Sequence, residues 1–212
     1  MAISKLSNHV RDEVITAFRQ RICAEAGIVP LRHQAEWWAA SDGAILTSTP
    51  DHGGPSSGME VQVQEPDGQI TNQRFSLIPR PDGRAKVLSD LGAFKVGKSY
   101  GAGTWASAFA AVPNARVQLV GLEYDICVPE FEYIVETLLS ERGMGLRYAT
   151  LQNRPRDGRM WLDFENGARF EARSWERKDT LKGKEIDCYI YCEAYMLPGL
   201  ECYTSFSQNL RA

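Results

Sequence analysis

Residues 92–99 read Gly-Ala-Phe-Lys-Val-Gly-Lys-Ser and fill every fixed position of the pattern GxxxxGK[ST]. Few eight-residue stretches constrain a chain so strongly. A glycine-bounded loop turns its backbone N–H groups inward around a nucleotide's phosphates, the lysine reaches the β- and γ-phosphates, and the hydroxyl ligates Mg²⁺. The nucleotide-binding residues expected on this basis are Gly92, Ala93, Phe94, Lys95, Val96, Gly97, Lys98, Ser99 and Tyr100, with Ser99 on the metal. The flanks agree. Ala85 to Leu91 alternates polar and apolar residues as a strand does, while Ser99 to Ala111 is small and apolar, reads as a helix and stops near Pro113. Strand, glycine loop, helix is the order required, and the helix N-terminus adds its own unpaired N–H groups to the phosphate site. The competing reading is an ordinary glycine turn.

At 212 residues the chain fits one domain with a real core. The net charge of −3 carries no global basic bias, so any nucleic-acid contact has to come from a local patch. Five cysteines without paired spacing, and no leader pattern, point to free thiols in a reducing cytoplasm. No apolar run approaches the length of a membrane span. His9, His33 and His52 are too scattered to form a ligand motif. Cys188 and Cys192 share one face of an expected strand and read as small buried hydrophobes rather than half a zinc site.

Ahead of the loop, Val10, Val14, Ile15, Phe18 and Ile22 have helical spacing over Asn8 to Ala26, ended by Gly27, and Ala35 to Ala40 continues as a short helix. Ser41 to Gly58 is dense in Gly, Pro, Ser and Asp and reads as loop. Met59 to Val63 and Ile70 to Ile78 flank Pro66-Asp67-Gly68 as a β-hairpin, with a turn at Pro79 to Gly83. Beyond the loop come a strand at Arg116 to Leu122, a helix at about Pro129 to Ser140, and three short strands around 147–152, 160–164 and 169–175. Glu165-Asn166-Gly167 joins the last two as a hairpin. Asp187 to Tyr191 is the final strand, and a helix begins near Leu200. The alternation predicts an α/β fold with a mainly parallel central sheet, helices on both faces and antiparallel hairpin additions.

Hydrolysis needs a carboxylate beside the phosphate loop to orient water. The last expected strand runs into Cys192-Glu193-Ala194, which puts Glu193 at its carboxyl edge, where such sheets bind ligands. Glu193 is therefore the candidate that positions water for attack on the γ-phosphate; the alternative is a simple cap on the following segment.

Several segments together resemble the ATPase domain of the large terminase subunit of tailed bacteriophages, the motor that packages DNA into procapsids. Leu181-Lys182-Gly183 followed by a hydrophobic strand ending in Glu193-Ala194 is one; Pro30 to Gln34 with Trp37 and Trp38, similar to that family's adenine-contacting segment, is another; Asn166 to Ser174 is a third. The resemblance covers most of the chain except 47–80, which reads as an insertion. It implies a P-loop ATPase of the additional-strand, conserved-glutamate type. In that reading 1–40 holds the N-terminal helices and the adenine segment, 41–84 is inserted, and 85–212 is the core of a single domain. It further implies ATP and Mg²⁺, Gln34 as the base-reading residue, Glu193 and Lys98 as catalytic residues, and Lys182 reaching a neighbouring subunit's nucleotide. The implied partners are double-stranded DNA, a portal protein, a small terminase subunit and further copies in a ring, with no membrane, in the host cell cytoplasm.

Three residues depart from the family's pattern. Cys192 stands where an aspartate is usual, Phe94 where an arginine is frequent, with Lys95 beside it, and Lys182 where relatives place an arginine, which keeps the charge but loses the bidentate fork. The family's coupling motif, lid and nuclease domain have no counterpart before Ala212, so an excised fragment or a naturally short form is expected; Thr47-Ser48-Thr49-Pro50 reads as loop. Tyr189, Tyr191, Tyr195 and Tyr203 read as packing residues rather than base-stacking ones. Arg147, Arg154, Arg156 and Arg159 read as a solvated turn rather than a DNA contact. Two other functions stay open: a helicase-like ATPase fragment, and a nucleotide-binding structural or regulatory domain with catalysis impaired at Cys192.

Overall fold

The structure is a computed structural model and describes residues 8–31, 34, 35, 38, 44–47, 58–64, 67–79, 97–176 and 185–198. The expected strand at 85–91, the loop residues 92–96 and the helix from Leu200 lie outside them. The backbone divides into two compact units, one made of 1–26 with 102–212, the other of 27–101.

The larger unit opens with α1 (Asn8–Glu25), which buries Ile15, Arg19 and Ile22 at helical spacing and stops at Gly27, whose φ of 62° only glycine adopts freely. Arg19 is buried by stacking over Trp105, 5.6 Å from the ring centroid. After α2 (Lys98–Ser107) and a short 3₁₀ turn (Ala108–Ala111), the chain enters β4 (Arg116–Gly121), α3 (Val128–Leu139), β5 (Thr150–Arg154), β6 (Arg159–Asp163), β7 (Arg169–Ser174) and β8 (Cys188–Tyr191). Pro129 in the first turn starts α3, and Phe131, Ile134 and Leu138 form its buried stripe.

These strands form one sheet in the order β5-β6-β7-β4-β8. Central β4 pairs in parallel with β7 and with β8, and it is buried from Val117 to Gly121, as a strand covered on both faces must be. β5, β6 and β7 are antiparallel neighbours, the hairpin additions expected beside a parallel centre, so among the described residues the sheet is mixed. The cause is local. The 3₁₀ turn at Pro155–Asp157 returns β5 directly to β6, and Asn166-Gly167 returns β6 to β7, leaving no room for crossover helices. Gly167 is left-handed at φ 85°, and a Cβ there would sit 2.3 Å from Asn114 Oδ1. Asp187 fixes the entry of β8, accepting from the Arg116 N–H at 2.6 Å and pairing with Arg11 of α1.

The second unit holds an antiparallel sheet ordered β1-β3-β2, with β1 Ala44–Thr47, β2 Gly58–Gln64 and β3 Ile70–Pro79. The β2–β3 hairpin matches the expectation. β1 corrects the loop assigned to 41–58: Ala-Ile-Leu-Thr pairs with Pro79 to Ser76 along the other edge of the long β3. Four residues framed by Gly, Pro and Ser are too few to show a period of their own; the partner strand makes them a strand.

Candidate functional site

The glycine loop enters α2 through Gly97, held left-handed at φ 77°. Lys98, Ser99 and Tyr100 then form the first turn of the helix, half-buried, with no acidic side chain in that turn. A helix N-terminus free of carboxylates keeps its positive end available to an anion. The Gly97 carbonyl accepts the first helical hydrogen bond, from the Gly101 N–H at 2.8 Å.

Within the same unit, Gln34 reaches that carbonyl as well. Its Nε2 donates to Gly97 O at 2.9 Å, and its Oε1 accepts the Leu31 N–H at 2.8 Å, with the residue only 3% exposed. A primary amide has two N–H donors and two acceptor lone pairs, so each end retains one for a further partner. Trp38 adds a bond from Nε1 to Gly101 O at 3.3 Å. The approach needs glycines, since a Cβ at Gly101 would lie 3.0 to 3.3 Å from Gln34 Nε2, Cγ and Cδ, and one at Gly97 would lie 3.1 Å from Nε2. The segment holding Gln34 is itself tied to β2, through the Gln64 N–H to Pro30 O at 3.1 Å and a parallel bridge between Leu31 and Gln64. The expected base-reading residue and the loop's last glycine are thus brought together.

In the larger unit, β4, β7 and β8 end at one edge, at Gly121, Ser174 and Tyr191. Glu193 lies just past that edge, as expected, exposed and in the left-handed region at φ 48°, ψ 56°. An L-residue other than Asn or Asp is held there at a cost of about 1 kcal/mol, a kind of strain that gathers at functional positions. The preceding Cys192 N–H is locked to Val120 O at 2.9 Å, and the Glu193 carbonyl accepts from the Met196 N–H at 2.9 Å. Lys98 and Ser99 belong to one unit and Glu193 to the other; Gly92, Ala93, Phe94, Lys95, Val96 and Lys182 lie outside the described residues.

Cys192 is 1% exposed and faces inward with Cys188, so both are the small buried thiols expected. Hydrogen bonding with Cys127, burial, and the nearby Glu130 carboxyl hold the Cys192 thiol well above its ordinary titration range. It stays neutral at physiological pH. Among the described residues, no three His, Cys, Asp or Glu side chains converge as a metal cage. Mg²⁺ on nucleotide sites is held by one or two protein oxygens together with phosphates and water, so Ser99 with one carboxylate is a donor set of the right kind.

Three buried polar residues, Gln118, Glu171 and Glu130, had no role in the sequence reading. Gln118 Nε2 donates to Glu171 Oε1 at 2.8 Å, Arg173 Nη2 donates to Glu171 Oε2 at 2.6 Å, and Glu130 is buried at the start of α3. Only an acidic residue inside an otherwise apolar stretch signals them, and that signal is weak. Tyr189 and Tyr191 stack 6.1 Å apart and pack against Val120, Trp175 and Leu197, which supports packing over base stacking. Tyr195 is 79% exposed. Arg147, Arg154, Arg156 and Arg159 are all exposed.

No protein family and no curated protein matches the sequence. Among solved structures, the chain is similar to the large terminase ATPase domain of Thermus phage P74-26, at 22% identity and a TM-score of 0.44 over 55% of this chain and 51% of that one. An arginine-to-alanine mutant of the same domain aligns at 20% identity and a TM-score of 0.38 over the same shares. The chain spans about half the length of the structures it matches.

Proposed function

We propose that this chain is an ATP-binding and ATP-hydrolysing module of a viral DNA-packaging motor, with a P-loop fold of the additional-strand, conserved-glutamate type. The observation that carries the reading is the junction at 97–99, where a sequence matching GxxxxGK[ST] passes through a left-handed glycine into a helix whose first turn holds Lys98 and Ser99. In this reading residues 92–100 wrap the phosphates, Lys98 neutralises charge on them, and Gln34 contacts the base. Ser99 holds Mg²⁺, which when bound spreads the negative charge that builds on the transferred phosphoryl group. Glu193 orients the attacking water, and Lys182 reaches the nucleotide of an adjacent copy. Support for the packaging role is the resemblance of 30–38, 166–174 and 181–194 to terminase segments. Double-stranded DNA, a portal, a small subunit and a ring of copies in the host cytoplasm follow from that resemblance alone.

The test is Mg²⁺-dependent phosphate release by the wild type and by Glu193→Ala. Loss of the water-orienting group lowers turnover about 100-fold or more while ATP still binds. Equal turnover in the two proteins would remove Glu193 from the mechanism. ATP binding with no turnover in either favours the second reading, a nucleotide-binding regulatory domain, to which the neutral Cys192 lends weight.

A further inference from the structure

We propose that Gln34 is a positioning residue of the phosphate loop, acting on the phosphates through the Gly97–Lys98 peptide in addition to its contact with the base. The inference rests on the nucleotide-binding reading above and gives that residue a second role. The amide spends both ends on backbone: Nε2 donates to Gly97 O at 2.9 Å, and Oε1 accepts the Leu31 N–H at 2.8 Å. Only one of its two orientations makes both bonds, so the amide cannot turn over without losing them. At 3% exposure most of its surface is committed to protein rather than to a ligand.

What Gln34 holds is the peptide that opens the helix. A peptide unit is planar and trans, so its C=O and N–H point in opposite directions. The Gly97 carbonyl takes two donors, Gln34 Nε2 and the Gly101 N–H at 2.8 Å. Its direction therefore sets that of the Lys98 N–H, which points out of the helix N-terminus, where the reading above seats the phosphates. Gly97 benefits from the restraint. At φ 77° and with no side chain of its own, it is the kind of residue whose flanking peptides turn most freely. The clamp is anchored at its far end as well: Leu31 bridges Gln64 of β2, and the Gln64 N–H donates to Pro30 O at 3.1 Å. A side chain tied to a sheet at one end and to the glycine at the other preorganises that peptide for an anion.

The measurement is calorimetry on the full chain with two ligands in Mg²⁺, ADP and inorganic pyrophosphate, alongside thermal unfolding. Pyrophosphate has no base, so a residue that only reads the base leaves its affinity untouched. Gln34→Met keeps the length and removes both hydrogen bonds; it is expected to weaken pyrophosphate about 10-fold and ADP at least as much. Gly101→Ala reaches the same contact from the helix side, since a Cβ there would lie 3.0 Å from Gln34 Nε2. It should weaken pyrophosphate several-fold with the melting temperature retained. Combining the two should add no further loss, because both act through one hydrogen bond. Pyrophosphate affinity at the wild-type level in either variant overturns the proposal, as does a double variant whose losses add. Should Gln34→Met fail to fold, Gly101→Ala alone decides by the same criterion. A wild type that binds neither ligand would instead sink the parent reading.

Discussion

Glu171 shows how much one buried carboxylate can hold. It sits in the middle of β7 at 4% exposure, accepts from Gln118 across the parallel pair, and takes the Arg173 guanidinium at 2.6 Å. Removing one partner of such a group leaves the others buried without compensation, which costs more than the pair ever contributed. Glu171→Ala should therefore destabilise the fold by about 3–5 kcal/mol, read as a lower urea midpoint. Glu171→Gln, which keeps an acceptor for Gln118, should cost less. Glu193 makes the opposite case. Its left-handed backbone suits glycine, so Glu193→Gly should gain about 1 kcal/mol of stability while phosphate release collapses. A thermal melt and a phosphate assay on the one variant check both halves. Glu193 was legible in the sequence because a hydrophobic strand ran straight into it. Glu130 was not, since position three of a helix is an ordinary place for an acidic side chain.

Among the elements, those with a local cause were readable. α1 carried its own period and its stop at Gly27, α3 its proline start, and the β6–β7 hairpin its Asn-Gly turn. β1 was not, because pairing with the long β3 decides it. The first turn of α2 joins both kinds of information: Gly97 reads as a loop signal and Gly101 as part of the helix, and the fold uses both to seat Gln34. Alanine is about 1 kcal/mol better than glycine inside a helix, yet a Cβ at Gly101 meets Gln34 Cγ and Cδ at 3.2 and 3.3 Å. Gly101→Ala should therefore leave the melting temperature unchanged or higher while displacing Gln34 from Gly97 and weakening ATP binding several-fold, measured by fluorescent-nucleotide titration.

For the whole molecule, the thiols set the alkaline limit. Burial pushes Cys23 up to about 11 and Cys188 further still, and Cys192 is raised well above its ordinary value, by its hydrogen bond with Cys127 first. Unfolded thiols titrate near 9, so above that pH the unfolded chain loses protons the native chain keeps, and stability declines as pH rises toward the native values. Below pH 9 these groups add no slope. Urea midpoints should hold between pH 7 and 8.5 and then drop steadily to pH 11, with a shallower drop in Cys188→Ala. Native-state labelling with a thiol reagent should be slow at Cys127, Cys188 and Cys192 until the protein unfolds.

The larger unit is discontinuous along the chain, with α1 on one side of residue 27 and its sheet on the other side of residue 101. During synthesis the nested stretch 27–101 emerges whole, whereas α1 leaves the ribosome with its Ile15–Ile22 stripe bare. The partner that closes Arg11, Asp187 at the mouth of β8, is translated 176 positions later. Ribosome-stalled chains ending before β8 should accordingly leave α1 open to protease, with protection arriving only once the last strand is out.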